Sequence, residues 1–209
     1  MKKTKRSKKS RTWVIKQHRD PFFKKSKTLG YRSRSAFKLI ELNKKFKFLK
    51  KNISLLDLGS FPGGWSQVAS KEITKGKILA LDIKIMKKIP NVDFINGDFG
   101  EDKIYEKIMH YFNNKKVDVV LSDMASNTSG NKSIDSYRTG ELCIKAMSLS
   151  REILSENGTF LSKLFMGSIF KEINKMAKNH FKQVVLHKPL SSKSESKEIY
   201  IYCKGILKI

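Results

Sequence analysis

The chain has 209 residues, enough for one α/β domain with a short extension and too few for two ordinary domains. Its 44 Lys and Arg face 19 Asp and Glu, a formal charge of +25, and such self-repulsion makes sense when the partner is a polyanion. No apolar run nears the roughly 18 residues of a membrane span, no apolar segment follows the basic start as in a secretory signal, and Cys143 and Cys203 belong to no metal-spaced cluster.

The excess charge is uneven. Residues 1–50 hold 19 Lys and Arg against Asp20 and Glu41, a net of +17, which leaves +8 for the rest. An AT-biased genome also enriches lysine, but it does not concentrate the charge in one arm. Residues 1–33 show no sustained periodicity and mix basic residues with Trp13, Phe22, Phe23 and Tyr31, broken by Asp20-Pro21 and Gly30. They read as a basic N-terminal arm ahead of one domain over residues 34–209. The acid-poor start also suits an organellar transit peptide, although lysine outnumbers arginine. The expected location is cytoplasmic, or organellar if the source is eukaryotic.

From Ser35, apolar residues Phe37, Leu39, Ile40, Leu42 and Phe46 predict a helix. Ile53–Leu58 reads as a buried strand, followed by Gly59-Ser-Phe-Pro-Gly-Gly64 and a helix from about Trp65 to Ile73. Strands follow at Lys77–Asp82 and Val92–Ile95. A helix with Ile104, Ile108 and Phe112 on one side leads to the strand Val117–Ser122. Ser126–Ser136 reads as a polar loop, and Tyr137–Leu154 as a long helix closed by Asn157-Gly158. Thr159–Phe165 is a strand, Ser168–Ala177 a helix, Lys182–His187 a strand, Pro189–Lys197 a serine-rich loop and Glu198–Lys204 the last strand. Strands alternating with helices imply a mostly parallel, doubly wound sheet. The final pair has no room for a crossover helix, so the last strand should run antiparallel to its neighbour.

In such sheets ligands bind beyond the carboxyl ends of the strands, where the first strand meets its helix. That place carries Asp57-Leu-Gly-Ser-Phe-Pro-Gly-Gly-Trp65, whose glycines permit tight turns. With Pro62 and Gly63 in the middle it is not G-x-G-x-x-G, which argues against a dinucleotide. Asp82 ends the second strand and suits a carboxylate accepting from ribose hydroxyls. Asp98, after the third, suits an acceptor for an adenine amino group. Either aspartate alone is as easily a helix cap or turn residue. Together they suit a cofactor with a cationic centre, an adenosine and no phosphates.

Four segments together carry a resemblance: Asp57-Leu-Gly-Ser-Phe-Pro-Gly-Gly-Trp-Ser-Gln67, Gly97-Asp-Phe99, Leu121-Ser-Asp-Met-Ala125 and Lys197-Glu-Ile-Tyr200. The chain resembles the FtsJ/RrmJ-like (RlmE-type) ribosomal RNA ribose 2′-O-methyltransferases from about Ser10 onward, including Gly30-Tyr-Arg-Ser-Arg-Ser-Ala-Phe-Lys-Leu39. The resemblance implies a Rossmann-like methyltransferase fold with a seven-stranded sheet, and S-adenosylmethionine as cofactor. It places Gly63, Trp65, Asp82, Asp98 and Asp123 at cofactor-binding positions, and Lys38, Asp123, Lys163 and Glu198 at a catalytic tetrad. Two positions depart from the family pattern. Ser60-Phe61 replaces a pair of small residues, and Ser126 stands where proline commonly follows Asp-Met-Ala.

Methyl transfer to a ribose hydroxyl needs alignment of oxygen, methyl carbon and sulfur, and help with the hydroxyl proton. Lys163 lies in the apolar run Phe160-Leu-Ser-Lys-Leu-Phe165, where desolvation opposes its charged form while Asp123 and Glu198 would favour it. Without the resemblance, Lys163 is as easily a snorkelling strand-end lysine, Glu198 a strand-start carboxylate and Lys38 one basic residue among many. The arm's basic residues would neutralise phosphates. Its aromatics would stack on unpaired bases or anchor the arm to the domain. The expected substrate is a uridine ribose in large-subunit ribosomal RNA, free or in a ribosomal particle, modified by a monomer during large-subunit maturation. The alternatives are a transfer RNA or cap methyltransferase of the same family, and a non-catalytic RNA-binding assembly factor.

Overall fold

A computed structural model describes residues 20–126 and 129–207, so Trp13 and most of the basic arm's charge lie outside the described residues. The sheet has seven strands: β1 (Ser54–Leu58), β2 (Lys77–Asp82), β3 (Asp93–Asn96), β4 (Val117–Ser122), β5 (Leu154–Phe165), β6 (Phe181–His187) and β7 (Glu198–Ile206). Six helices join or precede them: α1 (Pro21–Thr28), α2 (Ser35–Phe46), α3 (Gly64–Glu72), α4 (Asp102–Tyr111), α5 (Lys132–Ile153) and α6 (Phe170–His180). Strand order is β3-β2-β1-β4-β5-β7-β6. The first five strands are parallel, and β7 inserts antiparallel between β5 and β6.

Alternation along the strands builds two cores. Leu55, Ile78, Ala80, Val119, Leu121 and Leu161 face α2 and α3. Leu56, Leu58, Leu79, Leu81, Val120 and Phe160 face α4, α5 and α6. Because order reverses between β1 and β4, their following segments diverge and leave a crevice at the strand ends. Among the described residues no helix is long and apolar enough to cross a membrane.

The expected elements are present, with one added helix and the larger shifts of boundary in the segment after β4. Asp20-Pro21, read as a break, starts α1: the Asp20 carboxylate accepts from the Phe22 and Phe23 amides at 2.9 and 3.2 Å, and Pro21 occupies a first-turn position. Phe22 and Tyr31 pack on Phe37 of α2, so these two aromatics hold α1 to the domain. The polar loop after β4 ends at Asn131, which caps α5 through the Ser133 and Ile134 amides, five residues before the expected start. At its other end α5 stops at Ile153, because Leu154 already pairs with Val117; Asn157-Gly158 falls inside β5. α6 runs two to three residues later than expected, after the buried Ile169.

Candidate active site

The crevice holds a cleft of about 280 Å³ lined by Gly59 and Phe61 after β1, Asp82 at the end of β2 with Ile83 and Lys84 beyond it, Asp98 and Phe99 after β3, and Asp123, Met124 and Ala125 after β4. Gly59 sits at φ +71°, and a Cβ there would lie 2.2 Å from Met124 Cγ, so only glycine lets the two loops meet. Asp82 shapes the mouth. One of its oxygens accepts from the Phe61 amide at 2.9 Å and the other from the Lys84 amide at 2.8 Å. Asp98 accepts from the Gly100 amide at 2.9 Å. Among the described residues the cleft is lined by three carboxylates and one cation, Lys84, which suits a cationic ligand carrying hydroxyls better than a phosphate-rich one.

Gly63 and Trp65 do not line this cleft. Gly63 precedes α3 at φ +108°, where a Cβ would crowd Ile89, Met86 and Arg32. Trp65 is buried, donates its indole N–H to the Ser35 carbonyl at 2.9 Å and packs 5.7 Å from the Tyr200 ring. Both brace the loop that carries Phe61. Arg32 braces it too, donating to the carbonyls of Pro62, Lys87 and Lys88. Arg34 pairs with Asp20 and donates to the Ser191 carbonyl. These two arginines of the basic stretch direct donors to the protein itself.

Beside the cleft the chain assembles a second cluster from four distant segments. Lys163 Nζ lies 3.1 Å from Asp123 Oδ1 and donates to the Asp123 carbonyl at 2.5 Å. Lys38, on α2, pairs with Glu198 at 2.7 Å. The register explains the grouping: Lys163 stands opposite Tyr200, and Phe165 opposite Glu198, so β5 and β7 present their polar groups to one end. Lys163 and Glu198 are buried, Lys38 and Asp123 nearly so. Asp123 belongs to both clusters, because it walls the cleft and holds Lys163. The four positions therefore form two ion pairs, with Tyr200 donating to one and lying under the lysine of the other.

Two supporting residues were not singled out from the sequence. Tyr200 is fully buried, donates its hydroxyl to Asp123 Oδ1 at 3.0 Å and lies under the Lys38 ammonium at 5.8 Å. Burial first, then the carboxylates Asp123 and Glu198, pushes its phenol well above the usual range, so it stays a donor. Ser192 donates to Glu198 at 2.8 Å. A tyrosine inside an apolar strand was the available signal for the first, since a buried phenol needs an acceptor. Ser192 sat in a loop with four serines and nothing marked it out.

Asp57, beneath the cleft loop at the end of β1, is fully buried. Ser66 donates to one oxygen at 2.6 Å, and the other finds no partner among the described residues. Desolvation raises its pKa to about 7, the Ser66 bond working against this and the charges of Asp123 and Asp82 adding to it.

Residues 31–206 match the family described as FtsJ-like methyltransferase. The chain is 49% identical over 195 residues to Ribosomal RNA large subunit methyltransferase E of Pelagibacter ubique, covering 93% of this chain and 96% of that protein. A solved Plasmodium falciparum structure described as a ribosomal RNA methyltransferase superposes with a TM-score of 0.78 at 38% identity, over 86% of this chain and all of that one. A Streptococcus mutans methyltransferase in complex with SAH shares the fold, with a TM-score of 0.54 at 17% identity over 79% of this chain and 96% of that one.

Proposed function

The chain belongs to the FtsJ-like methyltransferase family, and from that membership we propose that it methylates a ribose 2′-hydroxyl, that of a uridine, in large-subunit ribosomal RNA with S-adenosylmethionine as donor. The observation that carries the reading is Asp123, a single carboxylate that walls the acidic cleft, pairs with buried Lys163 and accepts from Tyr200, whose ring lies under Lys38 of the Lys38–Glu198 pair. The names of the ribosomal RNA methyltransferases to which the chain is similar favour this substrate over transfer RNA or a cap.

When bound, S-adenosylmethionine supplies a methyl group on a positively charged sulfur, open to in-line displacement. The chain's own residues do the rest. Asp82 and Asp98 would hold its hydroxyls and its adenine through the carboxylate lone pairs that the backbone leaves free. Asp123 would bring negative charge to the cationic donor, and it fixes Lys163 through both its carboxylate and its carbonyl. Lys163 in turn receives or orients the 2′-hydroxyl, turning a lone pair toward the methyl carbon; a positioned acid–base group contributes about 10²–10⁴-fold. Lys38 and Glu198, locked by Ser192, form the outer pair that would hold the ribose.

Methyl transfer to a large-subunit particle in vitro, with mapping of 2′-O-methylation in its RNA, tests the proposal. A protein that binds S-adenosylmethionine but leaves every ribose unmodified would overturn it in favour of an assembly factor.

Two further outcomes are expected. Asp82→Asn keeps an acceptor for one backbone amide and removes the charge. Cofactor affinity should fall by about 1–3 kcal/mol, read by calorimetry, with the fold retained. Asp82→Ala would also release the Phe61 and Lys84 amides, so it tests loop shape as much as binding. Residues 1–19 carry nine Lys and Arg and no acid. A protein starting at Asp20 keeps α1, and it should bind RNA more weakly with a shallower salt slope. Each phosphate that is no longer neutralised lowers that slope by about 0.7–0.9. Anisotropy across a salt series reads this, and cofactor affinity should stay unchanged.

A further inference from the structure

Outside the cleft and the tetrad, exposed apolar side chains stand on two neighbouring segments that the mechanism does not use. Tyr137 and Ile134 are 48% and 43% exposed, three residues apart and so on one face of the first turns of α5. Met166, 43% exposed, directly follows β5. The two segments abut at Ser136, whose hydroxyl donates to the Phe165 carbonyl at 3.4 Å and fills the space a Cβ on Gly167 would need, 2.1 Å away. Tyr137 and Met166 thus flank one shared junction, each as a chain neighbour of a residue that forms it. The Met166 amide donates to the Lys197 carbonyl at 3.0 Å, next to Glu198 of the tetrad. Lys197 and Arg138 are exposed at its border. The one acid within α5's first turn, Asp135, is tied down by the amide and hydroxyl of Ser129 at 2.8 and 2.7 Å.

Resting on the methyltransferase reading, we infer that Tyr137, with Met166 and Ile134 beside it, is a stacking platform for an unpaired base of the substrate RNA next to the methylated nucleotide. The position argues for it. A ribose presented to Lys163 must leave its neighbouring bases on the surface around the ends of β5 and β7, and this apolar patch lies there. Exposed apolar surface with cations at its edge is complementary to a nucleotide, base over the apolar part and phosphate at the rim. A protein partner would gain from the rim cations only where it carried acids there, whereas every nucleotide brings a phosphate. Stacking binds any base face, so the platform adds affinity and orientation without choosing the sequence.

The test compares wild type, Tyr137→Ala, Tyr137→Phe and Met166→Ala in methyl transfer to a large-subunit particle under saturating S-adenosylmethionine. Loss of a base stack, typically about 1–3 kcal/mol, predicts that Tyr137→Ala raises KM for the particle by about 5- to 150-fold. Tyr137→Phe, which keeps the ring, should stay within about twofold, and Met166→Ala should fall between. Cofactor affinity and melting temperature should not move in any of them. An unchanged KM in Tyr137→Ala, with wild type active, overturns the platform and leaves the methyltransferase reading standing. A wild type that transfers no methyl overturns the reading itself. If Tyr137→Phe falls as far as Tyr137→Ala, the hydroxyl and not the ring touches the RNA, and stacking is overturned.

Discussion

Lys163→Ala is expected to abolish methyl transfer while cofactor affinity changes only a few-fold. Its ammonium holds Asp123 through the carboxylate at 3.1 Å and the backbone carbonyl at 2.5 Å, and Lys163 itself does not line the cleft. Its loss therefore falls on the hydroxyl that must attack, and a positioned acid–base group is worth about 10²–10⁴-fold in turnover. The substitution also leaves Asp123 without its cation in a nearly buried place, and breaking such a pair costs about 3–5 kcal/mol. Melting temperature must then be measured beside activity. Lys163→Arg separates the two effects. It keeps a charge against Asp123, so stability should largely return, but a guanidinium does not give up its proton and its planar fork displaces the hydroxyl. Activity should stay low. Single-turnover transfer at saturating cofactor isolates the chemical step. A folded Lys163→Ala protein within a few-fold of wild type would remove Lys163 from the reaction.

The second large effect is on stability against pH, and it comes from Asp57. The folded protein holds this carboxyl at a pKa of about 7 against 3.8 for the free side chain, chiefly because burial penalises the ionised form. Between those two values the unfolded chain has lost the proton and the native chain keeps it. The native state then binds more protons, so stability falls as pH rises from about 4 to about 7 and levels off above. At 1.36 kcal/mol per unit, the full span is about 4 kcal/mol. Asp57→Asn has nearly the same shape, still accepts from Ser66 and cannot ionise, so its profile should lose this slope and its stability at pH 8 should exceed that of wild type. Urea unfolding at a series of pH values gives both curves. Parallel curves for the two proteins would show that Asp57 is not held protonated.

Much of the fold was legible in local pattern. Buried runs such as Leu55–Leu58 and Ile78–Leu81 alternate with amphipathic helices, and that rhythm leaves few arrangements other than a parallel sheet. The glycine-rich turn after β1 announced the cleft because Gly59 and Gly63 need a backbone few other residues adopt. α1 was hidden because eight residues rich in lysine carry little apolar periodicity, and α1 is held by its Asp20 cap and by Phe22 packing on Phe37. Helix α5 and strand β5 exchanged a few residues for a similar reason. Pairing of Leu154 with Val117 joins distant segments, and no local signal at Asn157-Gly158 reports it.

The candidate residues of the site were named from the sequence, by charge in an apolar strand, by carboxylates at strand ends and by resemblance. Their meeting was decided by the tertiary structure alone. Lys38 and Glu198 are 160 positions apart and reach 2.7 Å only because β7 inserts between β5 and β6 while α2 packs over the same face. The same insertion sets Tyr200 opposite Lys163 and makes it the donor to Asp123. Gly63 and Trp65 show the converse: their motif marks the cofactor loop, yet packing turns both away from the cleft to brace it. A chain determines by itself which groups it carries and how each segment prefers to fold. Which groups share a low-dielectric site depends on long-range strand order, because only burial against distant segments makes such charges seek each other.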